Sequence, residues 1–197
     1  MADLSQAVPA ESQWVLLEDY LLNGSFQAAW IDTENIEEAA QRFRADPSSG
    51  ILCDLDTAFD LADDDGGGTM TWIGAHSPGW SVAVTLTGRL SLQPAASSGG
   101  RRIITHQHRA DLAELADDGM LYYHDGELLG PLGALEEYRN YTRDLEARYY
   151  LGFEEMVESY LILAGRVTGR FLDRDWFTAP RVGLMGSVPV VEQFVLA

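Results

Sequence analysis

The sequence has no lysine, a single cysteine and no apolar run that could cross a membrane. Because Cys53 has no second cysteine to pair with, an internal disulfide is excluded, which fits a reducing compartment. The longest apolar stretch, from Tyr160 to Ala164, is far shorter than the ~20 residues of a membrane-spanning helix. The N-terminus also lacks the cationic and apolar segments of a signal peptide. We therefore expect a cytoplasmic protein without a membrane partner.

Positive charge is scarce as well, since 13 arginines face 31 acidic residues and the net charge is −18. The first 65 residues hold most of this imbalance, with fifteen acidic side chains against Arg42 and Arg44. Such a field repels nucleic acid and attracts cationic surfaces. Nucleic-acid binding needs clustered basic residues, and only Arg101, Arg102 and Arg109 approach a cluster. We expect a basic protein partner and no nucleic acid.

The chain is long enough, and at 46% hydrophobic residues apolar enough, for one well-filled core. We predict a single domain over 1–197, with an acidic helical part (1–65), a β-rich centre (69–132) and a helical C-terminal part (135–178). Apolar spacing predicts helices over Glu11 to Leu22, Thr33 to Ala45, Asp54 to Ala62, Asp111 to Ala116, Leu135 to Tyr149 and Phe153 to Leu172.

Strands are predicted in the centre by alternation of apolar and polar residues and by turn sequences. Met70 to His76 and Trp80 to Thr87 flank a Pro-Gly turn, and Asp125-Gly126 separates a second pair of strands. Further strands are expected at 26–31, 102–108 and, as an edge strand, 188–196. Strands between helices predict an α+β fold, an antiparallel sheet with helices packed mainly on one face. The alternation after Trp80 predicts that the other face is solvated.

No catalytic signature is present, because the sequence lacks a G-x-S-x-G elbow, a Walker loop and a G-x-G-x-x-G turn. We expect no cofactor. His106 and His108 would share one face of a strand, where two imidazoles can ligate a divalent ion if His76, His124 or an aspartate adds a third ligand. The competing interpretation is that both are polar residues on the solvated face of a strand.

The densest acidic segment begins at Cys53 and ends in three glycines. Its spacing fails as a calcium-binding loop, because Ala58 and Phe59 occupy the places of an oxygen ligand and an essential glycine. A solvated acidic face is expected instead, and this face is our first candidate for partner binding. Its members are Asp54, Asp56, Asp60, Asp63, Asp64 and Asp65.

A second candidate is the segment W-I-G-A-H-S-P-G-W from Trp72 to Trp80. Trp72, Gly74 and His76 would share one strand face, and glycine there lets another group approach the backbone. Tryptophan is favoured at binding hot spots, so Trp72, His76 and Trp80 are candidate partner-binding residues. In the alternative interpretation both indoles belong to the core.

The W-I-G-x-H-x-P-G-W segment, the alternating strand after it and the Y-x-x-D-G-x-L hairpin at Tyr122 to Leu128 resemble a family of small acidic actinobacterial proteins, a domain of unknown function. The similarity extends roughly from Phe26 to Leu132, and the lack of lysine agrees with such a source. The helical part from Leu135 onward departs from the family. The resemblance implies no activity and no catalytic residues.

Our leading hypothesis is a non-enzymatic binding module that engages a basic protein through its acidic face, as an immunity-type or regulatory inhibitor does. The alternative is a small enzyme or ligand-binding protein with its site near His76, His106, His108 and Trp72. A third hypothesis concerns assembly, since the apolar stripe over Phe153 to Leu172 either closes the core or forms a homodimer face.

Overall fold

The structure is a computed structural model that describes residues 4–64, 68–89, 92–110 and 114–186, without the side chains of Asp64 and of residues 114–118. Asp65, residues 111–113 and the strand expected at 188–196 lie outside the described residues.

One antiparallel sheet runs through all three parts of the chain. Its eight strands lie in the order β2-β8-β3-β4-β1-β5-β6-β7, and every neighbouring pair is antiparallel. The strands are β1 (Ser25–Ile31), β2 (Ile51–Cys53), β3 (Thr69–Ser77), β4 (Trp80–Thr87), β5 (Arg102–Arg109), β6 (Glu114–His124), β7 (Glu127–Pro131) and β8 (Arg181–Gly186). The predicted antiparallel α+β fold is confirmed.

Most helices cover one face of this sheet. The helices are α1 (Gln13–Asp19), α2 (Ile36–Arg42), α3 (Leu55–Asp64), α4 (Arg139–Thr142), α5 (Phe153–Thr168) and α6 (Arg174–Thr178). Side chains of α1, α3, α5 and α6 share one core cluster with Trp30, Trp72 and Val82 of the sheet. Helix α2 packs on the opposite face through Ala39 and Ala40.

The prediction of a solvated second face is wrong for the middle of the sheet. Ser81, Ala83 and Thr85 alternate with the core residues of β4, yet all three are buried. The reason is α2, whose small residues Ala39 and Ala40 pack in a second cluster with Ala83. The alternation of polarity therefore marks the two faces correctly but not which of them meets solvent.

Both predicted hairpins are present. Pro78 and Gly79 join β3 to β4, and Gly79 has a φ of +83°. Asp125 and Gly126 join β6 to β7 with φ angles of +47° and +88°, as a tight two-residue hairpin turn requires.

Helix α1 is shorter than predicted. It begins after Ser12, whose hydroxyl caps Val15 N–H, and ends at Asp19. Leu21 was expected in the buried stripe, but it has a φ of +58° and is 83% exposed. Leu16 takes its place in the core.

The predicted helix from Leu135 to Tyr149 is wrong. This segment forms short 3-10 turns on either side of the four-residue α4. A buried arginine accounts for the interruption, since Arg166 Nη1 donates to Tyr141 O at 2.7 Å and to Asp144 at 2.7 Å. The carbonyl of Tyr141 would otherwise accept from the amide of Leu145, which bonds Thr142 O instead.

Two further differences concern the sheet and α5. The residues Glu114 to Ala116, predicted as part of a helical turn, begin β6, where Leu115 pairs with His108. The second half of α5 is buried on all sides rather than along one stripe, since Leu161, Ile162 and Leu163 are all buried. The helix therefore lies inside the molecule, between the sheet and the 135–151 segment.

Candidate functional site

The acidic face lies on α3. Asp54 precedes the helix and its Oδ1 accepts the Thr57 amide at 2.9 Å. Hydrogen bonds from the Thr57 side chain and from this amide hold the pKa of the carboxyl below its usual range. Asp56, Asp60 and Asp63 are exposed and recur at helical spacing. The structure thus brings four of the six predicted aspartates together on one surface.

The opposite side of α3 anchors the helix to the sheet. Leu55, Ala58 and Ala62 are buried in the main core cluster. Immediately before the helix, the outermost strand β2 carries two apolar side chains in solvent, with Ile51 49% and Leu52 71% exposed. Ile51 shares the sheet face of Cys53, which α3 covers, whereas Leu52 points to the opposite face with Val182. The carboxylates are therefore presented by a fixed helix beside one exposed apolar side chain, and we call Ile51, Asp54, Asp56, Asp60 and Asp63 the acidic face.

Elsewhere, arginines neutralise many of the acidic side chains. Glu38 lies 2.9 Å from both Arg42 and Arg101, and Arg170 pairs with Asp173 at 2.8 Å. In the described part of the chain, none of the four aspartates of the acidic face forms an ion pair. The charge of this acidic face is therefore available to a partner, and its four aspartates are grouped on and beside one short helix.

The three arginines that approach a cluster in sequence do not form one in space. Arg101 bonds Glu38, and Arg102 bonds Asp32 at 2.9 Å. Arg109 lies at the other end of β5, about 23 Å away at the rise of an extended strand. Acidic neighbours therefore neutralise the first two arginines.

Trp72, His76 and Trp80 belong to the core, with exposed fractions of 0%, 3% and 5%. Trp72 Nε1 donates to Cys53 O at 3.3 Å, and its ring meets Trp176 edge-on at 5.2 Å. The interpretation of these residues as an exposed recognition surface is therefore wrong. The physical reason is that α6 covers this end of β3.

Gly74 does permit a close approach, as expected, and the approaching group is Arg181. A Cβ at position 74 would meet the Arg181 side chain, with Nε at 2.7 Å. The guanidinium lies 5.1 Å above the Trp176 ring and donates to Trp176 O. Burial lowers the pKa of Arg181 because it disfavours the charged form. The Trp176 carbonyl and ring are the partners that stabilise the buried cation.

His76 joins β3 to the end of α5. Its Nε2 lies 2.8 Å from Arg170 O, which requires a proton on that nitrogen. Nδ1 is buried and has no hydrogen-bond partner in the described part of the chain. Burial lowers the pKa of His76 to about 4, so the ring is neutral at physiological pH.

His106 and His108 form a buried pair at the other end of the sheet. His106 Nε2 lies 3.0 Å from His108 Nδ1, and the outer nitrogens face the carbonyls of Gly119 and Asn23 at 2.9 and 3.2 Å. Burial lowers the pKa of His106 to about 3 and that of His108 to about 4. Two neutral rings carry two protons for three contacts, so one contact lacks a hydrogen bond.

The described residues give these histidines no third metal ligand. Both are 1% exposed, so the alternative of a solvated strand face is also wrong. Among the described residues, no group of three or more His, Cys, Asp or Glu side chains could hold an ion. His76 lies beside Trp80, whereas His108 pairs with Phe26 near the opposite ends of the strands. The structure therefore does not bring the four residues of the predicted ligand site together.

The sequence analysis did not predict a cleft that lies near Trp80, on the sheet face that carries the main core cluster. It has a volume of about 490 Å³ and is lined by Arg102, Tyr122, His124, Leu129, Leu135, Glu136, Glu137 and Tyr138. We call it the Arg102 cleft. Its residues come from β5, β6, β7 and the turn at 135–138, and no sequence motif links them.

Cys53 is a buried free cysteine. Burial raises the pKa of its thiol, and the charge of Asp54 raises it further. The thiolate is therefore suppressed and a nucleophilic role is disfavoured.

Comparisons of the chain with protein-family models, with curated proteins and with solved structures find no match. The resemblance to a family of acidic proteins therefore stays a prediction, and the function is argued from geometry alone. None of the described helices is long and apolar enough to span a membrane.

Proposed function

We propose that the protein is a binding module whose acidic face engages a basic protein, as an immunity-type or regulatory inhibitor would. The observation that carries this proposal is the absence of ion pairs at Asp54, Asp56, Asp60 and Asp63 within the described chain. Most of the arginines that could neutralise them are bonded elsewhere.

The position of the charges on α3 supports a role outside helix stability. Carboxylates near a helix C-terminus oppose the helix dipole, and the last turn of α3 contains no basic residue. Asp63, in that last turn, therefore costs stability where it is. A cationic partner surface would remove this cost by neutralising this side chain.

The neighbouring apolar side chain supports a protein as the partner. Protein interfaces combine a desolvated apolar centre with a polar rim. Ile51 supplies exposed apolar area on the same side of the sheet as α3, and the helix supplies the charged rim. A basic surface with an apolar centre fits this arrangement better than a free polycation, which would use only the charges.

The test compares two triple variants of equal charge. D56N/D60N/D63N removes three charges from the acidic face, and E127Q/E146Q/E154Q removes three exposed charges elsewhere. We expect the partner captured by the wild-type protein to bind the second variant equally and the first roughly tenfold or more weakly. Partner affinity should also fall as salt rises.

Ile51→Ser tests the apolar part of the same surface and should weaken binding without changing its salt dependence. Equal binding of both triple variants would refute the acidic face as the site. So would an affinity that stayed constant from low to high salt.

A further inference from the structure

The Arg102 cleft contains a guanidinium held in a fixed position. Asp32 accepts from Arg102 N and Nε, each at 2.9 Å. The guanidinium carbon also lies 5.0 Å from the centre of the Trp80 ring. The guanidinium is therefore held by an ion pair at Nε and by an indole ring against one face. Its two terminal nitrogens are not used by these contacts, so the group is preorganised for a ligand.

Those terminal nitrogens have no internal acceptor. Across the described residues, neither Nη1 nor Nη2 of Arg102 donates a hydrogen bond, whereas Arg101 and Arg166 use all three of their guanidinium nitrogens. The Arg102 side chain is 43% exposed and lines the cleft. Two parallel N–H groups of a guanidinium match the two oxygens of a carboxylate.

A second donor converges on the same cleft. Tyr138 donates its hydroxyl proton to Tyr122 at 3.3 Å, so the Tyr122 proton is left for another acceptor. Burial raises the pKa of both phenols, which keeps them protonated at physiological pH. Both phenols are therefore neutral and add no negative charge beside a bound carboxylate, and Tyr122 is the one whose proton is left for it.

The rim of the cleft carries the complementary charge. Glu137 is exposed and forms no ion pair within the described chain, whereas its neighbour Glu136 is bonded to Arg139 at 2.7 Å. Leu129 and Leu135 add apolar wall to the same cleft. A simple anion would meet the field of a protein of net charge −18, but a zwitterion has no net charge and meets no such barrier.

We propose that the Arg102 cleft binds a small zwitterion of the amino-acid class, with its carboxylate on Arg102 and Tyr122 and its ammonium group on Glu137. The apolar wall accommodates a hydrocarbon side chain. The volume of about 490 Å³ lies within the range of small-molecule sites. This site is formed by β5, β6 and β7, whereas the acidic face is formed by β2 and α3.

The test is calorimetric titration of the full chain with L-valine, L-leucine and L-phenylalanine, followed by two analogues of the tightest ligand. One analogue lacks the carboxylate and the other lacks the ammonium group. We expect the amino acid to bind, and each analogue to bind at least roughly tenfold more weakly, because each loses a charge-assisted hydrogen bond.

Protein variants assign the contacts. Arg102→Gln and Glu137→Gln should each lower the affinity for the amino acid roughly tenfold or more. Arg44→Gln and Glu127→Gln, at exposed positions outside the cleft, are the matched controls and should leave it unchanged. Because Arg102→Gln also removes the ion pair with Asp32, Tyr122→Phe provides a variant that keeps that pair and the ring packing, and it should also weaken binding.

Three results would overturn the proposal. The first is that none of the three amino acids binds at millimolar concentration. The second is that the analogue without the ammonium group binds as tightly as the amino acid itself. The third is that both Tyr122→Phe and Arg102→Gln leave the affinity for the amino acid unchanged. The variant D56N/D60N/D63N should bind the amino acid normally, so failure of this proposal is distinct from failure of the acidic face.

Discussion

Mild acid should destabilise this protein through its three buried histidines. His76, His106 and His108 have pKa values of about 4, 3 and 4, because burial disfavours the charged ring. In the unfolded chain the same rings have a pKa near ~6.5. As pH falls through ~6.5 the unfolded state takes up protons first, so this stability is fully present above that pH and is lost towards about pH 4.

The size of the effect follows from this difference in proton binding. At about pH 5.5 most unfolded imidazoles are protonated and the folded ones are not, which costs roughly 1.4 kcal/mol per histidine. Three histidines together cost about 4 kcal/mol. That is a large part of the ~5–15 kcal/mol by which domains are stable.

Urea unfolding between about pH 7.5 and about pH 5.5 measures the effect, and the slope of stability against pH gives the number of protons taken up on unfolding. We expect close to three protons at the acid end of this range. His76→Gln should lower that number by about one. The range stays above the titration of carboxyl groups such as Glu38 and Asp144. Stability that did not change with pH would refute the assignment of neutral, buried rings.

Two substitutions test packing and charge. Gly74→Ala places a methyl group against the Arg181 side chain, and we expect a loss of about 1–3 kcal/mol in the free energy of unfolding by urea. Asp144→Ala leaves the fully buried Arg166 side chain without its counter-ion, and we expect a loss of about 3 kcal/mol by the same measurement.

Each substitution has a matched control in the chain. Gly24→Ala should be close to neutral, because nothing lies within 4 Å of the added Cβ. Glu136→Ala removes a pair whose side chains are 79% and 61% exposed, and it should change stability by less than ~1 kcal/mol. A loss at either control equal to that of its partner would contradict the explanation by burial.

The hairpins were predictable because their determinants are local. Asp125-Gly126 and Pro78-Gly79 dictate tight turns regardless of the rest of the chain. Strands β2 and β8 were missed, since three residues in one and two glycines in the other carry little pattern. The pairing of Ile51 with Gly183 and of Trp72 with Gly183 defines them, and these contacts are distant in sequence.

The candidate sites divide in the same way. The charge of α3 is a property of composition, and its exposure followed from the apolar positions Leu55 and Ala62 on the other side of the helix. The Arg102 cleft was not predictable, because contacts with Asp32 and Trp80, both distant in sequence, determine where the guanidinium of Arg102 lies. The buried His106–His108 contact likewise depends on α1 and α5 covering the strand.

The position of β8 has a consequence for the synthesis of the protein. This strand comes from residues 181–186 but lies between β2 and β3, both completed more than a hundred residues earlier. While the chain is being made, β3 therefore has an unpaired edge on the ribosome until β8 has emerged. Exposed strand edges are sites of wrong pairing between chains. The fifteen acidic side chains of the first 65 residues emerge before β3, and like charges on neighbouring nascent chains oppose their approach during the delay.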